Sequence, residues 1–481
     1  MGYRIRQIEP AGELGQAITV EAITQVVPVE NIREVLQVCG AGEQRTRRLP
    51  AVLVVLLCIA MNLFWEVSLG YVLVRLAQGL RLLREDGVEA LAGKSAISEA
   101  RYRLGAKVLA VLFKRVCRPL ATPTTVGAFA FGLRLVAIDG TVETMPDTPA
   151  NEAYFGRQKG ARGDSAFPQV RCVYLCECGT HAIFDAGFWP YNTSERVGAR
   201  RLLRSVEAGM LVMWDRGLHE FDMVVGVLKH GAHVLARLPA HVKPTWVAAL
   251  PDGTWLGHIY PSDYQRRKRG EHVLVRVIEY EIDDPARPGH AQRHRLVTTL
   301  LDPDLYPALD LVSLYHERWE IEVTIDEIDT HQRLLPRPLR SLQPVGVLQE
   351  LYALLIAHFV VRSLMHQAAI THHLDPDRLS FVNSLRLLCD ALPEFQLVDP
   401  SDHPRLWTRL LRDIAHFRLP ERENRSNPRV VKRKMSNFKL KRPNHRRWPQ
   451  PTKEFREAIL LPVPISLPIS VRLPLTVPYC D

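Results

Sequence analysis

From about residue 20 to residue 120, apolar positions recur at helical spacing. They form runs over 31–39, 50–64, 66–81 and 98–120, with no strand-like alternation between them. The most apolar stretch, 49–65, is shorter than the ~20 residues that span a bilayer and contains Asn62. It is therefore expected to be a buried core helix. At residue 133 the pattern changes. LRLVAID is a β-branched apolar run ending in Asp139, and VRCVYL and HAIFDAGF form a hairpin about Cys178 and Gly179. A helix over 195–206 follows, then the buried strand MLVMWD ending in Asp215, a helix over 218–229 and the strand HVLARLP. Strands and helices in this order predict a mixed α/β core. Residues 246–300 alternate as strands around turn signals, with the basic tip YQRRKRG, and helix returns at Asp310. QELYALLIAHFVVRSLM is apolar nearly all round and is expected inside the fold.

The pattern gives five segments. They are a helical region over 1–125, the first part of the core over 126–240, and a β-rich insertion over 241–300. The rest of the core then occupies 301–370, and a C-terminal helical region with a basic tail occupies 371–481. The tail, 425–447, has no acid, and the last stretch, LPVPISLPISVRLPLTVPYCD, is too rich in proline for helix.

Charge narrows the function. With 62 Lys and Arg against 52 Asp and Glu, the formal net charge is +10. That balance suits a polyanionic partner without requiring one. The helix SAISEARYRLG carries Arg101 and Arg103 on a basic face, a candidate DNA-binding surface, and Arg266, Arg267 and Lys268 make a second basic cluster. Eight cysteines imply no disulfide framework, as in a reducing cytoplasm. Cys172, Cys176 and Cys178 cluster near His181, but their spacing matches no standard zinc site, so buried strand thiols are expected.

The stretch LYHERWEIEVTIDEIDTHQR, 314–333, holds the most specific signal. On a wheel of ~100° per residue, Leu314, Ile321, Ile325 and Ile328 share a core-facing stripe. His316, Glu317, Glu320, Glu327 and His331 fall on the far side, where solvation is expected. Tyr315, Arg318, Trp319, Glu322, Asp326, Asp329 and Arg333 form a third stripe beside the core face. Two-metal phosphoryl transfer needs carboxylates converging on Mg²⁺, a hard cation that takes oxygen ligands. Asp139, Asp215 and Glu322 are candidates for that role, with Arg318 placed for a phosphate and Tyr315 or Trp319 for stacking on a base. The alternative for the two aspartates is turn capping.

Strand–Asp, strand–Asp, helix–Glu resembles the RNase H-like core of DDE transposases. Tyr315, Arg318 and Glu322 are similar to the Y-x₂-R-x₃-E-x₆-K signature of the bacterial insertion-sequence-four family. AIDGTVETMPDTPANEAYFG and WDRGL resemble the segments around that family's two aspartates, and the likeness extends over roughly 45–447. The resemblance implies that Asp139, Asp215 and Glu322 bind two Mg²⁺ ions, with Mn²⁺ able to substitute. It implies that Tyr315 and Arg318 contact double-stranded DNA at the terminal inverted repeats of an insertion sequence, and that a homodimer joins two ends before strand transfer to target DNA. A cytoplasmic, nucleoid-associated protein with no membrane partner follows. The signature lysine is replaced by Asp329, and Arg333, one turn further on, is expected to supply the missing positive charge. The competing readings are a non-catalytic DNA-binding descendant and a hydrolase with a two-carboxylate acid/base pair.

Overall fold

The computed structural model describes residues 2–7, 17–18, 20–43, 47–83, 91–160, 163–287, 289–334, 337–420, 431–432, 439–440 and 449–462. Most of the basic tail and the proline-punctuated end lie outside the described residues. The chain divides into two compact units, residues 1–233 with 316–421, and residues 234–315 with 422–481.

The first unit opens with helices α1 (Val29–Val38), α2 (Ala51–Ala60), α3 (Leu69–Leu76), α4 (Lys94–Leu104) and α5 (Ala106–Val116). Every residue of α2 from Leu53 to Ala60 is buried, as its all-round apolarity requires. Ser68 caps α3 by accepting from the Tyr71 N–H, and Gly105, at φ 73°, separates α4 from α5.

Four strands follow: β1 (Leu133–Thr144), β2 (Gln169–Glu177), β3 (Ala182–Pro190) and β4 (Met210–Trp214), with α6 (Glu195–Leu202) between the last two. β1, β2 and β3 are antiparallel neighbours, while β4 adds to the other side of β1 in parallel. The spatial order is therefore β3-β2-β1-β4, the mixed-sheet arrangement of an RNase H-like core. β1 does not end at Asp139 as its apolar run suggests. It continues to Thr144 because the Asp-Gly step remains paired with Val173 and Tyr174 of β2 instead of turning. Helix α7 (Phe221–Lys229) follows β4.

The second unit contains an antiparallel meander built from β5 (His233–Arg237), β6 (Thr245–Ala249), β7 (Trp255–Ile259), β8 (Val273–Ile282) and β9 (His294–Thr298), in the order β5-β9-β8-β7-β6. The basic cluster expected at a hairpin tip is instead a short helix, Tyr264–Lys268, capped by Asp263. Helix α8 (Ala308–His316) carries Tyr315, half-buried, at the end of this unit.

The helix expected over 314–333 is in fact three pieces. After α8, a turn at Glu317 and Arg318 precedes α9 (Trp319–Asp326), and a π-helical segment, Glu327–Gln332, completes it. Within the first unit, α10 (Pro344–His372) begins at a proline and ends at His373 in the left-handed conformation. It is long and apolar enough to cross a membrane, but most of it is buried inside the unit. Helices α11 (Phe381–Leu397) and α12 (His403–His416) close the unit.

Candidate functional site

Strand register places the first two acids. Ala137 of β1 is paired with Met213 of β4, and each aspartate lies two residues further along. In parallel neighbours with a side-chain period of two, Asp139 and Asp215 then emerge at the same level and on the same face of the sheet. Asp139 Oδ1 accepts from the Gly140 N–H at 2.8 Å. Asp215 Oδ1 accepts from the N–H groups of Gly217 and Leu218 at 2.8 and 3.2 Å. Asp215 thus caps its turn and also lies beside Asp139.

Arg318 brings in the third acid. Its guanidinium donates to Glu322 Oε1 at 2.7 Å and approaches Asp139 Oδ2 at 3.7 Å. All three carboxylates are partly buried. Burial pushes Asp139 up to about 6, with Glu195 and Asp215 adding to the rise, against the Gly140 hydrogen bond and the charge of Arg318.

Glu195, in the first turn of α6, is a fourth acid that sequence reasoning missed. Burial and the charge of Asp215 raise its pKa, and Arg171 opposes the rise. Glycine at position 140 lets it approach, because a Cβ there would stand 2.6 Å from Glu195 Oε1 and 2.9 Å from the Cys172 carbonyl. An acid at a helix start is a default choice for the helix dipole, so the sequence gives no signal for it. Asp139, Asp215 and Glu322 offer carboxylate oxygens and no thiol or imidazole, a donor set that fits hard divalent cations.

Other expected site residues are placed as follows. Trp319 is half-exposed at the start of α9. Arg103, Arg267 and Lys268 are exposed, and Arg266 pairs with Glu271. Arg101 is buried and donates to Ser341 Oγ at 3.1 Å and the Gly346 carbonyl at 3.3 Å, which corrects its assignment to a DNA-facing surface. Arg333 is likewise corrected. It is completely buried, paired with Glu143 and 3.7 Å from Asp329, so it does not supply an exposed charge in place of the signature lysine. The π-helical segment explains the error, since its wider turn breaks the 100° wheel before Arg333 is reached. Glu320 and Glu327, expected in solvent, are also inside; Glu327 pairs with Arg362 and His358. The clustered thiols of Cys172, Cys176 and Cys178 are buried, and burial raises all three.

Comparison with known proteins identifies the family. Residues 17–114 match the insertion element 4 transposase N-terminal family, and residues 130–360, which contain Asp139, Asp215 and Glu322, match the transposase DDE domain. The chain is 30% identical over 415 residues to "Transposase InsG for insertion sequence element IS4" of Escherichia coli (strain K12), covering 84% of this chain and 90% of that protein. It is 28% identical over 217 residues to "Putative transposase InsZ" of the same organism, covering 44% and 69%. A solved piggyBac transposase synaptic complex with hairpin DNA aligns at a TM-score of 0.41 and 11% identity, over 86% of this chain and 88% of that one. The chain belongs to the insertion-sequence-four family of DDE transposases, metal-dependent enzymes that cleave DNA.

Proposed function

We propose that this protein is a cut-and-paste transposase that binds the terminal inverted repeats of an insertion sequence, cleaves the phosphodiester at each end and joins the freed 3′-hydroxyl to target DNA. The observation that carries the reading is Arg318 reaching both Asp139 and Glu322, with Asp215 beside Asp139 on the neighbouring strand. Asp139, Asp215 and Glu322 hold two Mg²⁺ ions, with Mn²⁺ able to substitute. Divalent cations bound there supply Lewis acidity and neutralise charge on the scissile phosphate.

The chain's own residues do the positioning. Arg318 orients Glu322 and tempers the repulsion between Glu322 and Asp139. It also offers a guanidinium to a non-bridging phosphate oxygen as charge develops in the transition state. Trp319 and Tyr315 present aromatic faces for stacking on end bases. Arg103, Arg267 and Lys268 contribute phosphate contacts that make binding salt-sensitive. The protein acts in the bacterial cytoplasm on nucleoid DNA, as a homodimer that joins two ends. Asp329 and Arg333 lie together inside the fold, so an internal ion pair takes up the position of the signature lysine.

The test is a donor plasmid carrying a marker between the inverted repeats that flank this reading frame. Excised marker DNA and target insertions bounded by short direct duplications are expected. Salt-sensitive binding to the repeats with no excision would instead support the non-catalytic descendant.

A further inference from the structure

The helix that carries Glu322 is short, and one buried arginine reaches both of its ends. Helix α9 stops at Asp326, and the π-helical segment begins at Glu327. Within that segment the Arg333 N–H donates to the Ile328 carbonyl, five residues back, at 2.9 Å. A turn closed by such bonds sets residues five apart on one side of the helix. Glu327 and Gln332 therefore both turn inward, and Gln332 donates to the Leu354 carbonyl of α10 at 3.3 Å.

Arg362 of α10, 2% exposed, grips Glu327 with two donors, Nε to Oε2 at 2.9 Å and Nη2 to Oε1 at 2.5 Å. His358 Nε2 lies 3.1 Å from the same Oε2. Arg362 Nη2 also donates to His181 Nδ1 in the β2–β3 turn. A guanidinium only donates, so Nδ1 accepts and Nε2 carries the ring proton. That N–H faces Asp377 Oδ1 at 3.3 Å and Glu320 Oε2 at 4.0 Å. Glu320, in the first turn of α9, also accepts from the Gly179 N–H of the same β2–β3 turn. Arg362 thus holds the end of α9 directly and faces its start through His181.

Stability alone is a weak reason for this arrangement. A buried guanidinium–carboxylate pair regains little more than its desolvation costs, and apolar residues of similar volume often serve stability as well. What apolar packing lacks is direction, whereas a two-point pair fixes both the height and the rotation of a helix. Glu322 needs that precision. It pairs with Arg318, from the same stretch of chain, so its placement against Asp139 follows from where α9 sits.

Resting on the metal-binding role proposed for Glu322, we propose that Arg362 and Glu327 are positioning residues that seat α9 and so bring Glu322 to the cations held by Asp139 and Asp215. The pair acts only through the α9 backbone. A displacement of ~1 Å at a reacting centre can lower the rate by about 10²-fold.

Mn²⁺ is the probe, its binding to the full-length protein measured by electron paramagnetic resonance without DNA. The wild type is compared with Glu327→Gln and with the double variant Glu327→Met/Arg362→Leu, which removes both charges together and should unfold close to the wild-type temperature. Each should bind Mn²⁺ at least about tenfold more weakly, with binding to the inverted repeats unchanged. Adding Glu322→Gln should weaken the wild type by a similar factor but cost the double variant little more, because its Glu322 is already out of place. A pair that serves stability alone predicts the opposite, a stable double variant with wild-type Mn²⁺ affinity. That result, fully additive losses with Glu322→Gln, or loss of the fold in both variants would each overturn the proposal. A wild type that binds no Mn²⁺ would overturn the metal-binding reading itself, and this inference with it.

Discussion

Asp139 and Asp215 stand at matching positions on neighbouring parallel strands, each two residues beyond the Ala137–Met213 pair. Two carboxylates held this way repel each other, and Arg318, at 3.7 Å from Asp139 and 2.7 Å from Glu322, is what offsets the charge. Arg318→Ala should therefore lower DNA cleavage by about 10²-fold while leaving the fold intact. It should also raise the pH at which activity appears, because a cation that holds the Asp139 pKa down has been removed. Single-turnover cleavage measured from pH 5 to 9 checks both effects; an unchanged pH profile would exclude the electrostatic role.

Asp139 titrates at about 6, well above an ordinary aspartate. Between the ordinary value and about 6 the folded metal-free state binds more protons than the unfolded one, so this group's contribution to stability falls as pH rises through that window. Cation binding requires the ionised form. Mg²⁺ affinity should accordingly rise with pH up to about 6, with proton release on binding, and level off above. Calorimetric titrations in buffers of different ionisation enthalpy read the released proton directly, and Asp139→Asn should abolish it.

Asp329 occupies the position of the family's signature lysine, yet it is largely buried beside the fully buried Arg333. Burial, with the charge of Asp326, raises it to about 7. Restoring the lysine by Asp329→Lys places two cations together in the interior. It should cost about 3–5 kcal/mol of stability in urea unfolding and bring no gain in DNA affinity. A stable variant with tighter DNA binding would show that the position faces DNA after all.

Glu195 shares the pocket with Asp139 and Asp215. Glu195→Gln should increase the Mg²⁺ concentration for half-maximal cleavage by about tenfold with little change in thermal stability, since the residue is only half-buried at a helix start. Magnesium titration of the cleavage rate measures this.

The strands leading to Asp139 and Asp215 were legible because each is a local apolar run beside an acid, whereas Tyr315, expected on one helix with Glu322, lies on α8. What the sequence concealed depends on partners far along the chain. Arg333 looks like a surface cation until it meets Glu143, and Arg101 until it meets Ser341. Glu320 and Glu327 read as solvated until His181 and Arg362 arrive from the β2–β3 turn and α10. The helical wheel also assumes one uninterrupted α-helix, whereas the turn at Glu317 and Arg318 and the π-helical segment change the phase on both sides of Glu322.

The proposed function requires that three carboxylates from two strands and one helix form a single metal-dependent centre. Its most direct test is cleavage of an end-labelled duplex carrying the terminal inverted repeat, in Mg²⁺, by the wild type and by Asp139→Asn, Asp215→Asn and Glu322→Gln separately. A nick at the element end by the wild type, absent without divalent metal and lost in all three variants while repeat binding persists, is the predicted result. Undiminished cleavage by any one of the three would contradict it.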